Sequence, residues 1–244
     1  MKGAPVVFVH GLYGTLDDPA LPAALDAPAA LSPDLLGYGE HAAQSAATLE
    51  AQADHVAAAA ASLGEPTVLV GHSLGGVVAV LVAERHPHLV AGLVSIEGNM
   101  APSDAFFSAT LASLSADAVV ARLAAAQADP EAWLRAADLP PTPARAALAR
   151  RWLTRQKPEA LRAAARAVVG TTFADVWPRR VTAVLRATPY ALLAGERSAP
   201  AWAVPEAVRD SVRGSEIVPR TGHFLPSEAP AEVGAALHRL IALL

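Results

Sequence analysis

The sequence predicts one α/β domain built on a doubly wound, mostly parallel sheet, with a helical insertion between two of its strands. Three observations carry this. Short β-branched runs recur at 6–9, 67–70, 89–96, 190–194 and 215–219, most without polar alternation, as strands buried on both faces should read. Helical segments at 43–63, 75–86 and 228–244 alternate with them, the rhythm of a sheet covered on two sides. Finally, the stretch TVLVGHSLGGVVAVLVAERHP, 67–87, passes from an apolar run directly into a helix through a G-x-S-x-G pentapeptide, the sequence of a nucleophile elbow.

The composition narrows the function classes. A chain of 244 residues, 53% hydrophobic and 17% charged, can bury a sizeable core and argues against disorder. The net charge of −4 lacks the basic excess of a nucleic-acid binder. With no cysteine there is no disulfide framework, thiolate nucleophile or thiolate zinc cage. The four-residue apolar run near the start is shorter than a secretory signal requires, so a cytoplasmic protein is expected. No run reaches the length of a membrane span.

In chain order, the first run, 6–9, ends at His10-Gly11. The stretch DLLGYG, 34–39, follows, its glycines supplying turns and Asp34 reading as a structural hydrogen-bond acceptor. The third motif is GHSLG, 71–75. Such a pentapeptide arises by chance in roughly one chain of this length in a dozen, so its setting between strand and helix decides. In an elbow the serine is strained outward and a Cβ two residues away would clash, which gives Gly71 and Gly75 a steric reason. The competing view is a glycine-rich turn with an incidental serine.

From 101 to 185 there is no strand, only alanine-rich helical pieces broken by DP, LPPTP, KP and WP. This divides the chain into a core, 1–100 and 186–244, and a helical lid, 101–185. Phe106, Phe107, Trp133, Trp152, Phe173 and Trp177 lie in the insertion and read mainly as packing residues. The arginines at 145, 150, 151, 155, 162 and 166 read as a solvated helix face.

VVFVHGLYG, DLLGYG, VGHSLGG and GHFLPSEAP occur in the order and spacing of the α/β-hydrolase family, and the chain resembles that family over nearly its whole length, least in the insertion. The resemblance implies an α/β-hydrolase fold with a sheet of roughly six strands. Ser73 is then the nucleophile and His223, in RTGHFLP after the last strand, the base; His10 and His72 read as buried supports. The N–H groups of Leu74, at the start of a helix, and of Leu12, in the loop after the first strand, form the oxyanion hole.

The acid stays open. Most members place an aspartate after the strand that follows the lid, where this chain has LLAGERS, with Ser198 at that position and Glu196 two residues earlier. LVAGLVSIEGN instead closes a buried run with Glu97, where haloalkane dehalogenases of the superfamily also carry a glutamate. A carboxylate there is costly unless paired. Glu97 is favoured over Glu196 and Asp104, although Glu97 could also cap the next helix or pair with an arginine. Dehalogenation itself is excluded, because a serine nucleophile would leave an ether that water cannot reopen.

The implied activity is a serine hydrolase for a carboxylic ester or thioester, acting on a small acyl substrate without metal or organic cofactor. Acyl transfer, carbon–carbon bond hydrolysis and a non-catalytic receptor on the same fold are the alternatives.

Overall fold

In the computed structural model, residues 3–14, 16–25, 27–44 and 48–244 are described. Six parallel strands form one sheet: β1 (Val6–Val9), β2 (Ala30–Leu31), β3 (Thr67–His72), β4 (Val90–Ile96), β5 (Tyr190–Gly195) and β6 (Gly214–Val218), in the order β2-β1-β3-β4-β5-β6. Five of the strands lie where the β-branched runs fall. The two-residue β2 carries too little pattern to be read from sequence.

Among the described residues, twelve α-helices surround the sheet. Those of the first half are α1 (Ala20–Ala23), α2 (Leu49–Ala61) and α3 (Leu74–Arg85). The insertion between β4 and β5 supplies α4 (Phe106–Ala112), α5 (Ala116–Ala128), α6 (Pro130–Ala136), α7 (Pro143–Thr154), α8 (Pro158–Thr172) and α9 (Trp177–Ala187). The remaining helices are α10 (Glu206–Arg209), α11 (Leu225–Glu228) and α12 (Pro230–Ile241). The helix expected over 43–63 begins only at Leu49, where Thr48 caps it by accepting the Ala51 N–H; positions 45–47 lie outside the described residues. The expected final helix is divided around Ala229, and Pro230 opens its second part.

The pleat sorts the strand residues between two cores. Val6 and Phe8 join Val68, Val70, Val94, Ile96 and Leu193 under α1 and α12. Val7 and Val9 join Leu69 and Leu93 on the opposite face, with α2, α3 and the insertion helices. Every residue of α3 from Leu74 to Ala83 is buried, which is why that helix shows no polar stripe.

Because all strands run the same way, the loops after β1, β3, β4, β5 and β6 gather at one edge. β1 and β3 are neighbours although the chain visits β2 between them; open α/β sheets bind ligands at such a reversal. Among the described residues no single helix is long and apolar enough to cross a membrane.

Candidate active site

Ser73 stands between β3 and α3 with φ 53° and ψ −117°, a conformation that costs a non-glycine residue about 1–3 kcal/mol. The surroundings enforce it. A Cβ on Gly71 would stand 2.5 Å from the Gly75 carbonyl oxygen, and one on Gly75 would overlap the backbone of Val9. The loop after β1 presses equally close, since a Cβ on Gly11 would lie 3.2 Å from that of Ser73.

That contact brings Leu12 beside the elbow. Among the described residues neither the Leu12 N–H nor the Leu74 N–H donates to a protein acceptor, so both remain available to a ligand. Tyr38 fixes the Leu12 peptide from behind, its hydroxyl donating to the Leu12 carbonyl at 3.1 Å; burial pushes the phenol pKa up and keeps that proton in place.

Glu97 follows β4 with a second positive φ, 43°. Its carboxylate is buried, and each oxygen is engaged. Oε2 lies 2.7 Å from Nδ1 of His223, which follows β6. Oε1 accepts the Gly195 N–H at 2.8 Å and the Ser198 hydroxyl at 2.5 Å. Desolvation is the largest single influence on this carboxyl and favours the neutral acid. The His223 hydrogen bond and charge, with the Ser198 and Gly195 donors, outweigh it and hold the pKa below its ordinary value.

Glu196 is elsewhere: it is exposed and accepts the Arg220 N–H at 2.7 Å. Asp104 is buried but spends itself on backbone, accepting from Met100, Ala101 and Ala203 at 2.8–2.9 Å. Burial raises its pKa despite those donors. It ties the loop after β4 to the loop after β5. Of the three carboxylates read from the sequence, Glu97 alone meets the imidazole of His223.

His72 is buried, and its ring donates from Nε2 to the His223 carbonyl at 2.8 Å. Desolvation, reinforced by the neighbouring His223, pushes its pKa down to about 3, so it serves as a neutral strut. His10 is likewise neutral. The Leu35 N–H donates to its Nε2 at 3.1 Å, which leaves the proton on Nδ1 for the Gly11 carbonyl at 2.8 Å. Burial is the main cause of its lowered pKa. His88 and His238 are exposed. His41, His55 and His86 are half-buried and hydrogen-bonded.

Ser73 Oγ makes one long contact, 3.5 Å to Oδ1 of Asn99, and no hydrogen bond to His223. Asn99 is buried, with its carbonyl held by Trp177 Nε1 at 3.1 Å. Aromatic side chains close over the imidazole: Phe106 and Phe107 of α4 lie 5.5 and 6.0 Å from it, and Phe224 lies 5.7 Å away, between centroids. Trp133 and Trp152 pack on Phe224. A cavity of about 10 Å³ remains beside His72, walled by Tyr13, Trp152 and Phe224, enough for one water. Phe173 is half exposed and takes no part.

Sequence reasoning missed several supports. Ser198 donates to Glu97, and Asn99 lies beside Ser73. Glu228 is buried in the final turn of α11, accepts the Gly222 N–H at 2.7 Å and pairs with Arg197 at 3.0 Å, which shapes the loop before His223. The signal for Ser198 was its place where an acid is usual; the others carry none. Of the six arginines expected on a solvated face, Arg150, Arg151 and Arg166 are exposed, while Arg145, Arg155 and Arg162 are half-buried. Arg155 pairs with Asp34, Arg151 with Asp17 at 3.0 Å, and Arg145 donates to the carbonyls of Pro140 and Glu228. They fasten the insertion to the body.

An elbow serine, a histidine–glutamate pair and two backbone N–H groups without a protein acceptor thus gather at one sheet edge among the described residues. The chain belongs to the alpha/beta hydrolase family, whose profile matches residues 6–236. Over 63 residues it is 48% identical to the pimeloyl-[acyl-carrier protein] methyl ester esterase of Sodalis glossinidius (strain morsitans), covering 26% of this chain and 23% of that protein. Over 67 residues it is 40% identical to lipase LipV of Mycobacterium tuberculosis, covering 27% and 26% respectively. These matches thus span about a quarter of each relative. MenH from S. aureus shares the fold, with a TM-score of 0.77 over 99% of this chain and 94% of that one at 17% identity.

Proposed function

We propose that the protein is a serine hydrolase that cleaves a carboxylic ester or thioester through an acyl-enzyme on Ser73. The observation that carries this reading is the 2.7 Å bond between Glu97 and His223, set at the same sheet edge as the strained Ser73. Glu97 keeps the Nδ1 proton on the imidazole, leaving Nε2 free to accept. The Ser73 hydroxyl turns from Asn99 toward Nε2, loses its proton and attacks the carbonyl. The Leu12 and Leu74 N–H groups receive the oxyanion, each worth about 3–4 kcal/mol in comparable sites. His223 then protonates the leaving group and activates water to open the acyl-enzyme.

The insertion acts as a lid, and its Phe106 and Phe107 favour an apolar acyl or aryl group. The esterase and lipase names of the two relatives agree with ester chemistry. The test is labelling with a fluorophosphonate probe beside turnover of nitrophenyl esters. Wild type should be labelled and active, and Ser73→Ala neither. Labelling without turnover would favour acyl transfer or a receptor, and an unlabelled wild type would end the reading.

A further inference from the structure

Glu97 offers two carboxylate oxygens to a histidine that needs one. Its side chain leaves a backbone of positive φ at the very end of β4, so the strand gives the terminal oxygens no fixed plane. What holds that plane comes from the next strand: the Gly195 N–H, which ends β5, and the Ser198 hydroxyl in the turn after it, both on Oε1. Ser198 has one proton to give. A second acceptor, the Gly195 carbonyl, lies 3.4 Å away against 2.5 Å for the carboxylate, and the charged acceptor at the shorter distance takes it.

We propose that Ser198 is a positioning residue for the acid: its hydroxyl pins Oε1, so that Oε2 alone is presented to Nδ1 of His223. It touches neither substrate nor nucleophile and acts only through Glu97. Without it, one N–H remains on Oε1, and the carboxylate can rotate about its last bond and share His223 between two oxygens. The inference rests on the hydrolase reading of this site.

The experiment compares wild type, Ser198→Ala, Ser198→Thr and Ser73→Ala, with nitrophenyl butyrate turnover and the low-field Nδ1 proton resonance of His223 as readouts. Ser198→Ala should lower kcat about tenfold, the loss expected for one hydrogen bond to a charged group, with KM within about twofold of wild type. Its low-field resonance should broaden or shift, because the bond that protects that proton has loosened. Ser198→Thr keeps a hydroxyl and should restore both. A Ser198→Ala enzyme with wild-type kcat and an unchanged resonance would overturn the proposal, as would a Ser198→Thr variant no better than Ser198→Ala. The two layers separate cleanly. Full turnover by Ser73→Ala would remove the hydrolase reading, whereas an inactive Ser73→Ala beside an unaffected Ser198→Ala would remove only the role of Ser198.

Discussion

Nδ1 of His223 and Oε2 of Glu97 meet at 2.7 Å although 126 positions separate them. The histidine arrives on the loop after β6 and the glutamate on the end of β4, with β5 lying between the two strands. Only the sheet brings them together, and among the described residues no arginine or lysine pairs with the buried carboxylate.

Replacing this carboxylate should therefore damage the reaction and little else. Glu97→Gln should lower kcat for nitrophenyl butyrate by roughly 10³–10⁴-fold, the scale of removing a triad acid elsewhere, while Glu196→Gln stays within about threefold of wild type. The opposite pattern in steady-state kinetics would transfer the role to Glu196.

Tyr38→Phe removes the donor behind the Leu12 peptide. A loss of about 1 kcal/mol in urea-derived stability is expected for one buried hydrogen bond, with a fall in kcat because the Leu12 carbonyl, and with it the loop after β1, is less firmly held. An unchanged kcat would mean that the loop keeps its geometry without the phenol.

Asp34 gives a pH signature. Desolvation is the largest influence on it and opposes ionisation, but the Glu40 N–H and Arg155 more than compensate, and its folded pKa lies below the ordinary value. The unfolded chain thus binds this proton more tightly. The stabilisation is complete above the usual carboxylate range, near pH 4, and disappears as pH falls through the lower folded value. The stability difference between wild type and Asp34→Asn, from urea titrations, should be constant between pH 7 and about pH 5 and should shrink below pH 4. A difference that grows on acidification would contradict the assignment.

Two glycine substitutions should behave oppositely. Gly71→Ala drives a methyl into the Gly75 backbone and should cost about 3 kcal/mol or more, since backbone cannot yield as a side chain does. Gly170 lies within α8 with no atom near its missing Cβ. Gly170→Ala should stabilise by about 0.4–1 kcal/mol through lower chain entropy. Thermal melts of the two variants decide it.

Phe106 and Phe107 of the insertion stand 5.5 and 6.0 Å from the imidazole. Phe107→Ala should raise kcat/KM for long-chain nitrophenyl esters relative to the acetate, because it removes a ring that stands 6.0 Å from the imidazole and packs on Phe224. Equal effects on all chain lengths would show that this ring does not set acyl size.

Much of the sheet was legible because four of its five longer strands are largely apolar runs, and the elbow because two close backbone approaches demand glycine at 71 and 75. Glu97 stood out because a charge closing a buried strand needs a partner. Its partners were harder to see. Ser198, Glu228 and Asn99 are small or surface-typical residues whose roles exist only once distant loops meet, and no local pattern encodes such a meeting. Arg151 of α7 and Arg155 just after it read as solvated because their acceptors, Asp17 and Asp34, lie more than a hundred residues away.

The edge position of β6 has a thermal corollary. A strand with a neighbour on one side only is the first to fray, and the imidazole is carried on the loop just beyond it. Gentle warming should silence the protein while its far-UV dichroism is still intact, and amide exchange should quicken over 214–223 before it does in β3. Cooling from that point should return activity promptly, since only the rim of the sheet has come undone.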